Sequence, residues 1–113
     1  MQPVIDHIQI TVKNLDEAET FYDQLMPILG FDLSKKSKGR VPAHEFDVIE
    51  YFHENMIIGF NSPRSVFENE EVHRRKPGSI HHLAFKTESE EEVNKAYKAL
   101  LNTNANIVAP PQL

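Results

Sequence analysis

Two histidines, His7 and His82, are the residues whose type and position point most directly to chemistry. Each stands in a segment that alternates polar and apolar residues, and each is followed by an apolar residue, Ile8 or Leu83. A neutral imidazole held on a rigid strand is a good ligand for a divalent transition metal. If the two strands lie side by side, the pair predicts a metal site. The alternative is that each histidine is an ordinary half-buried polar residue of its strand.

Other common catalytic patterns find no support in the sequence. His44 and Glu45 do not form a zincin motif, because Val48 stands where the second histidine is required. There is no glycine-rich phosphate loop and no Gly-x-Ser-x-Gly elbow. The absence of cysteine excludes disulfide scaffolds, thiolate catalysis and cysteine-type zinc sites. No catalytic residue and no organic cofactor site can therefore be assigned. The remaining histidines are expected to be exposed or to face away from His82: His44, His53, His73 and His81.

The two histidines belong to an internal repeat with an offset of 75 residues. His7-Ile8 falls on His82-Leu83, and further on Tyr22 falls on Tyr97 and Leu25 on Leu100. The same offset aligns the structural signals, which makes the repeat more than a chance similarity.

Those signals predict a strand followed by a helix in each copy. Alternation predicts strands from His7 to Val12 and from His81 to Thr87. Asn14 and Ser89 are the expected N-caps, each with a glutamate three residues later. Apolar residues then recur at helical spacing, and in the first copy Pro27 and Gly30 mark the end of the helix.

Three more strands complete the first copy. We expect a short strand from Phe31 to Ser34 that leads into a basic loop, residues 35–40, and then strands from Glu45 to His53 and from Met56 to Asn61. The chain is thus interpreted as a single domain: a βαβββ module of about residues 3–62, a solvated linker of residues 63–77 and a partial second module of residues 78–113. The second module has its strand, its helix and a short strand near residues 106–109, but its last two strands have no counterpart before Leu113.

The order of the predicted strands and helices indicates an α+β protein, and the composition fits a soluble globular one. The 113 residues are 40% hydrophobic and carry a net charge of −5, which argues against a general nucleic-acid binder. No apolar run is long enough for a membrane helix, so a cytoplasmic protein without membrane contact is expected.

The chain resembles the vicinal-oxygen-chelate superfamily, which includes glyoxalase I, extradiol dioxygenases, fosfomycin-resistance transferases and bleomycin-resistance proteins. The resemblance rests on residues 5–12, Leu15-Asp16-Glu17-Ala18, Phe21-Tyr22, Leu29-Gly30-Phe31 and residues 80–86. It implies two βαβββ modules with one helix each, whose mixed sheet forms a U-shaped cup around one metal. By resemblance, His7 and His82 bind that ion (Zn, Fe, Mn or Ni), and a carboxylate from the last strand of the second module completes the site. The implied substrate is a small molecule with adjacent oxygens.

The sequence departs from this pattern in two places. Glyoxalase-type members add an acid on the fourth strand, where this chain has Gly59 between apolar residues. The strand expected to bring the final carboxylate is missing, and Glu45 or Glu50 could replace it only if the cup interior differs from the family pattern. Three interpretations follow: a metal-dependent lyase, dioxygenase or transferase, a metal-free drug-sequestering protein, or an inactive truncated module that assembles with a partner, such as a second copy in a homodimer. Candidate pocket residues are Gln9, Thr11, Tyr51 and Lys86.

Overall fold

The computed structural model describes residues 1–112, which form a four-stranded sheet and two helices. In chain order the elements are β1 (His7–Thr11), α1 (Leu15–Ile28), β2 (Asp32–Val41), β3 (Phe46–His53), β4 (Met56–Asn61) and α2 (Glu90–Leu100). Two single turns of 3-10 helix, Pro42–His44 and Ser65–Phe67, lie between them. The predicted α+β class is confirmed, with a complete βαβββ module followed by an incomplete one.

The sheet has the order β1-β4-β3-β2. β1 runs parallel to β4, because α1 carries the chain across the sheet, and the other two pairings are antiparallel. Gln9, Gly59 and Glu50 lie directly opposite one another on β1, β4 and β3, so their side-chain positions share one face.

One face of this sheet is covered by α1 and holds the core. The ring of Tyr22 stacks on Phe60 with 3.9 Å between centroids. The buried apolar side chains are Met26, Phe31, Ile49, Tyr51, Ile58 and Phe60. On the strands they alternate with residues of the opposite face, which no helix covers among the described residues.

Both helices begin where the capping pattern predicts. The Asn14 side-chain oxygen accepts a hydrogen bond from the Glu17 amide at 3.0 Å, and the Ser89 hydroxyl accepts one from the Glu92 amide at 3.2 Å. The helices start at Leu15 and Glu90, which confirms the 75-residue offset for this part of the repeat.

The basic loop predicted after Ser34 is wrong, because residues 32–41 form the single strand β2. Its cations turn toward the helix-covered face. The Lys36 ammonium contacts Glu19 at 2.7 Å and Asp23 at 3.0 Å, and Lys38 contacts Glu19 at 2.9 Å. An edge strand tolerates such charges, and here they pair across to α1.

The strands predicted at residues 81–87 and 106–109 are also wrong, since neither segment has regular structure. A strand needs a hydrogen-bonding neighbour. β1 finds its neighbour in β4, whereas the equivalent of β4 in the repeat would lie 75 residues further on, beyond Leu113. The segment from His81 to Thr87 is therefore left without a partner among the described residues. No helix within residues 1–112 combines the length and apolarity needed to span a bilayer.

The ion pairs of Glu19 predict a specific dependence of stability on pH. Hydrogen bonds from Lys36, and then from Lys38, lower the pKa of Glu19 below 4.5 in the folded protein. A lowered folded-state pKa adds stability that is present above the unfolded value and lost as pH falls through the folded value. We expect Glu19→Gln to lower the free energy of unfolding at pH 7 by about 1 kcal/mol, and the difference from wild type to shrink as pH falls below 4.5.

Urea denaturation at several pH values measures this effect. Glu54→Gln is the matched control, because Glu54 is an exposed turn residue, and it should change little. A Glu19→Gln deficit that stays constant down to strongly acidic pH would contradict the ion-pair explanation.

Candidate functional site

The uncovered face of the sheet, called the open face below, carries the polar residues of β1. His7, Gln9 and Thr11 are exposed, while Ile8 and Ile10 between them are half-buried toward the helix side. The parallel register places these three polar residues opposite Ile57, Gly59 and Asn61 of β4. The predicted alternation of β1 is confirmed, and it sets which residues form the site.

The imidazole of His7 is oriented by a hydrogen bond to a carboxylate. Its Nδ1 lies 2.7 Å from the Asp6 carboxylate, and the Asp6 carbonyl accepts the backbone amide of Ile57 at 3.0 Å. With the proton on Nδ1 donated to Asp6, the lone pair of Nε2 is left for a ligand. A carboxylate that orients a histidine in this way is typical of metal-binding imidazoles. The ring is 63% exposed, so a ligand can reach it.

Asn61 fixes the other two polar residues of β1. It is 8% exposed, and its side-chain oxygen accepts a hydrogen bond from Gln9 at 3.1 Å. Its amide donates to the Thr11 hydroxyl and to the Ser62 carbonyl, both at 3.0 Å. The carbonyl oxygen of Gln9 and the hydroxyl proton of Thr11 remain available to a ligand. Gln9 and Thr11 thus lie on the face where the sequence predicted a pocket.

Gly59 has no side chain, so the side chains of its neighbours on β1 and β3 cover its position on the open face. A Cβ atom on Gly59 would lie 3.5 Å from Cγ of Glu50 and 3.6 Å from Cγ of Gln9. Gly59 itself is buried, so these two side chains lie over its backbone. Alternation along β3, where Tyr51 is buried in the core, would have given the face of Glu50 from sequence alone.

His82 lies outside regular structure, in the segment that follows the linker. Its Nδ1 is 2.8 Å from Nδ1 of His81, so the two rings share a hydrogen bond. The prediction that these neighbours face opposite ways is wrong, because it assumed a strand. Within residues 1–112, no three His, Asp or Glu side chains come together as a metal site. The residues present fit a divalent ion in donor chemistry, with His7 oriented for it, but only as a partial set.

A cleft of about 840 Å³ lies on the other side of the molecule. It separates the end of α1 and the β3–β4 turn from α2 and residues 85–88, and its polar lining includes His53, Lys86 and Lys95. Lys86, predicted as a pocket residue, therefore lines a cleft.

Tyr51 is a core residue on the helix-covered face of the sheet. It is 1% exposed, and its hydroxyl donates a hydrogen bond to Asp23 at 2.8 Å. Burial, reinforced by this bond to a carboxylate, raises the pKa of Tyr51 far above its ordinary value. The prediction of Tyr51 as a pocket residue is wrong, because its position in β3 points it toward α1.

The sequence matches a family model over residues 4–113, the Glyoxalase/Bleomycin resistance protein/Dioxygenase superfamily. The chain belongs to this superfamily. The match covers nearly the whole chain and confirms the family resemblance seen in the sequence.

A solved structure supports the same conclusion for this superfamily member. A candidate glyoxalase from Bacillus halodurans is 26% identical and superimposes with a TM-score of 0.67. The similarity covers 88% of this chain and 68% of that one. A search of curated proteins gave no match.

The hydrogen bonds of Asn61 can be tested by substitution. Asn61→Ala leaves Gln9 and Thr11 without their shared partner, and we expect the free energy of unfolding to fall by about 1–3 kcal/mol. Asn55→Ala, in the exposed β3–β4 turn, is the control and should cost much less. Chemical denaturation of both variants measures the difference. Equal losses would show that the Asn61 network does not hold the open face in place.

Proposed function

We propose that this superfamily member binds a divalent metal ion through His7 and His82 and acts on a small molecule with adjacent oxygen atoms, as a lyase, dioxygenase or transferase. The observation that carries the proposal is the His7 imidazole, held by Asp6 on an open face with Nε2 free for a ligand. His82 is its counterpart in the repeat.

His82 reaches the ion in this proposal when residues 81–87 pair as a strand. Two observations support such pairing. The segment has strand-type alternation, with Leu83 and Phe85 43% and 44% exposed, and β1 is an edge strand that pairs only with β4 among the described residues. An unpaired edge is a ready template for another strand. We propose that a second copy of this cytoplasmic protein provides the missing neighbour in a homodimer.

The groups on the open face have separable roles in this proposal. The ion, when bound, polarises the substrate's oxygens as a Lewis acid. Asp6 holds the His7 ring in one tautomer, and the Gln9 carbonyl and Thr11 hydroxyl orient the substrate by hydrogen bonds, with Asn61 fixing both. These side chains lie on strands, which position groups more precisely than loops.

A second candidate is a metal-free protein that sequesters a small molecule. The 840 Å³ cleft favours it, since ligand sites are commonly clefts of about 300–1,000 Å³. The two candidates differ in their response to chelators. A metal-free binder would show a ligand-dependent rise in melting temperature that chelators leave unchanged.

Metal analysis of variants tests the first proposal. We expect protein purified without chelator to carry about one divalent ion per site, and His7→Ala and His82→Ala each to weaken binding at least about tenfold. His44→Ala is the control, because His44 is an exposed residue next to a turn. Elemental analysis and calorimetric titration provide the measurement. If wild-type protein neither carries nor takes up an ion, the metal-dependent function is wrong.

A further inference from the structure

We propose that Glu50 of β3 supplies a carboxylate ligand to the divalent ion of the open face, reaching across Gly59. This inference rests on the proposed function, since it names a further ligand for the ion held by His7. It places the acid of the first module on β3 instead of β4.

The register of three strands brings Glu50 to the site. Glu50 pairs with Gly59, and Gly59 pairs with Gln9, so the three residues form one row across the sheet. β3 and β1 lie on either side of β4, about 9.6 Å apart, so the glutamate and imidazole side chains together bridge two strand spacings in the proposed site. The Cγ of Glu50 lies 3.5 Å from the position of a Gly59 Cβ, and Cγ of Gln9 lies 3.6 Å from the same position. In the proposed site the carboxylate of Glu50 extends from β3 over Gly59, and His7 of β1 occupies the next row on the same face.

Because residue 59 is glycine, no side chain at this position of β4 blocks the path from Glu50 to β1. A longer side chain there would stand between Glu50 and β1, because it would project from the same face in the same row. Glycine in place of an acid at position 59 of β4 thus leaves space for the acid of β3, Glu50.

Glu50 has no counter-ion among the described residues, unlike three acids on the other face. Glu19 and Asp23 contact Lys36, and Asp47 contacts Arg40. The Glu50 side chain is half-buried, yet its carboxylate has no hydrogen bond or ion pair with any residue in 1–112, and none of its oxygens is both buried and unpaired. A solvent-accessible carboxylate without a counter-ion can accept a divalent cation, for which carboxylate oxygens are common ligands.

The type of cation follows from the neighbouring donors. An imidazole combined with a carboxylate is the donor mixture that suits Zn, Fe, Mn and Ni, whereas an all-oxygen site would suit Ca or Mg. Gln9 adds a neutral oxygen beside them.

Calorimetric titration with Mn²⁺ alone tests the proposal on the whole chain, with no substrate present. We expect Glu50→Gln to weaken Mn²⁺ binding at least about tenfold. Glu50→Asp should weaken it similarly, because it keeps the charge but shortens the reach across Gly59. Glu54→Gln is the matched control, with the same change of net charge at an exposed turn, and should bind like wild type. Melting temperatures in chelator should be the same or higher for Glu50→Gln, because the carboxylate has no partner to lose.

The outcomes separate this proposal from the one it rests on. If wild-type protein binds Mn²⁺ and His7→Ala does not, but Glu50→Gln binds normally, then Glu50 is no ligand and the metal function stands. If wild-type protein binds no Mn²⁺, both proposals are wrong. If Glu50→Gln is weakened but Glu50→Asp binds like wild type, the carboxylate acts through its charge alone and the proposed contact is wrong.

Discussion

The parallel pairing of β1 with β4 is the constraint on which the site depends. It joins the first strand of the chain to the last strand of the module, and its ends are closed by hydrogen bonds from the Ile57 amide to Asp6 and from the Val12 amide to Asn61. Because side chains alternate between faces, a slip of one residue would turn His7 and Gln9 toward α1 and bring Ile8 and Ile10 into water. The burial of the apolar side chains of β1 therefore determines that its polar side chains lie on the open face.

The two faces of the sheet divide stability from chemistry. On the helix side, apolar packing is combined with charges that are paired, such as Lys36 with Glu19 and Asp23, and the Tyr51 hydroxyl is satisfied by Asp23. On the open face, Asn61 is the only buried polar side chain of the described residues, and it is hydrogen-bonded through both its oxygen and its nitrogen. His7 and Glu50 keep lone pairs that no described residue uses. Both groups are accessible from solvent, and this difference between the two faces is why the open face is proposed as the functional one.

The sequence predicted the elements of the first module well, because their signals are local. Asn14 marks the start of α1, and alternation places His7 and Gln9 on one face of β1. The prediction from sequence is wrong for residues 35–40, which the sequence indicates as a basic loop. They are strand residues because residues 37–41 pair with β3, and Lys36 and Lys38 then contact Glu19 of α1, which is distant in sequence. It also left Glu50 unresolved, since its place in the site depends on the register of three strands and on the missing side chain of Gly59. Neither feature can be read from a local pattern.

The repeat is realised in the helices and not in the strands, and the reason is physical. A helix forms its hydrogen bonds within itself, so α2 needs no neighbouring strand, and its Ser89 cap and its contact with α1 stabilise it. A strand forms its hydrogen bonds with a neighbour, so the same alternation around His82 produces order only when a neighbour is present. In the proposed site, strand pairing and ion binding at His82 would favour each other, because a ligand that binds only the paired form stabilises that form. In such a site the metal affinity of His82 includes the free energy of ordering its segment, whereas His7, on a strand already paired with β4, carries no such cost.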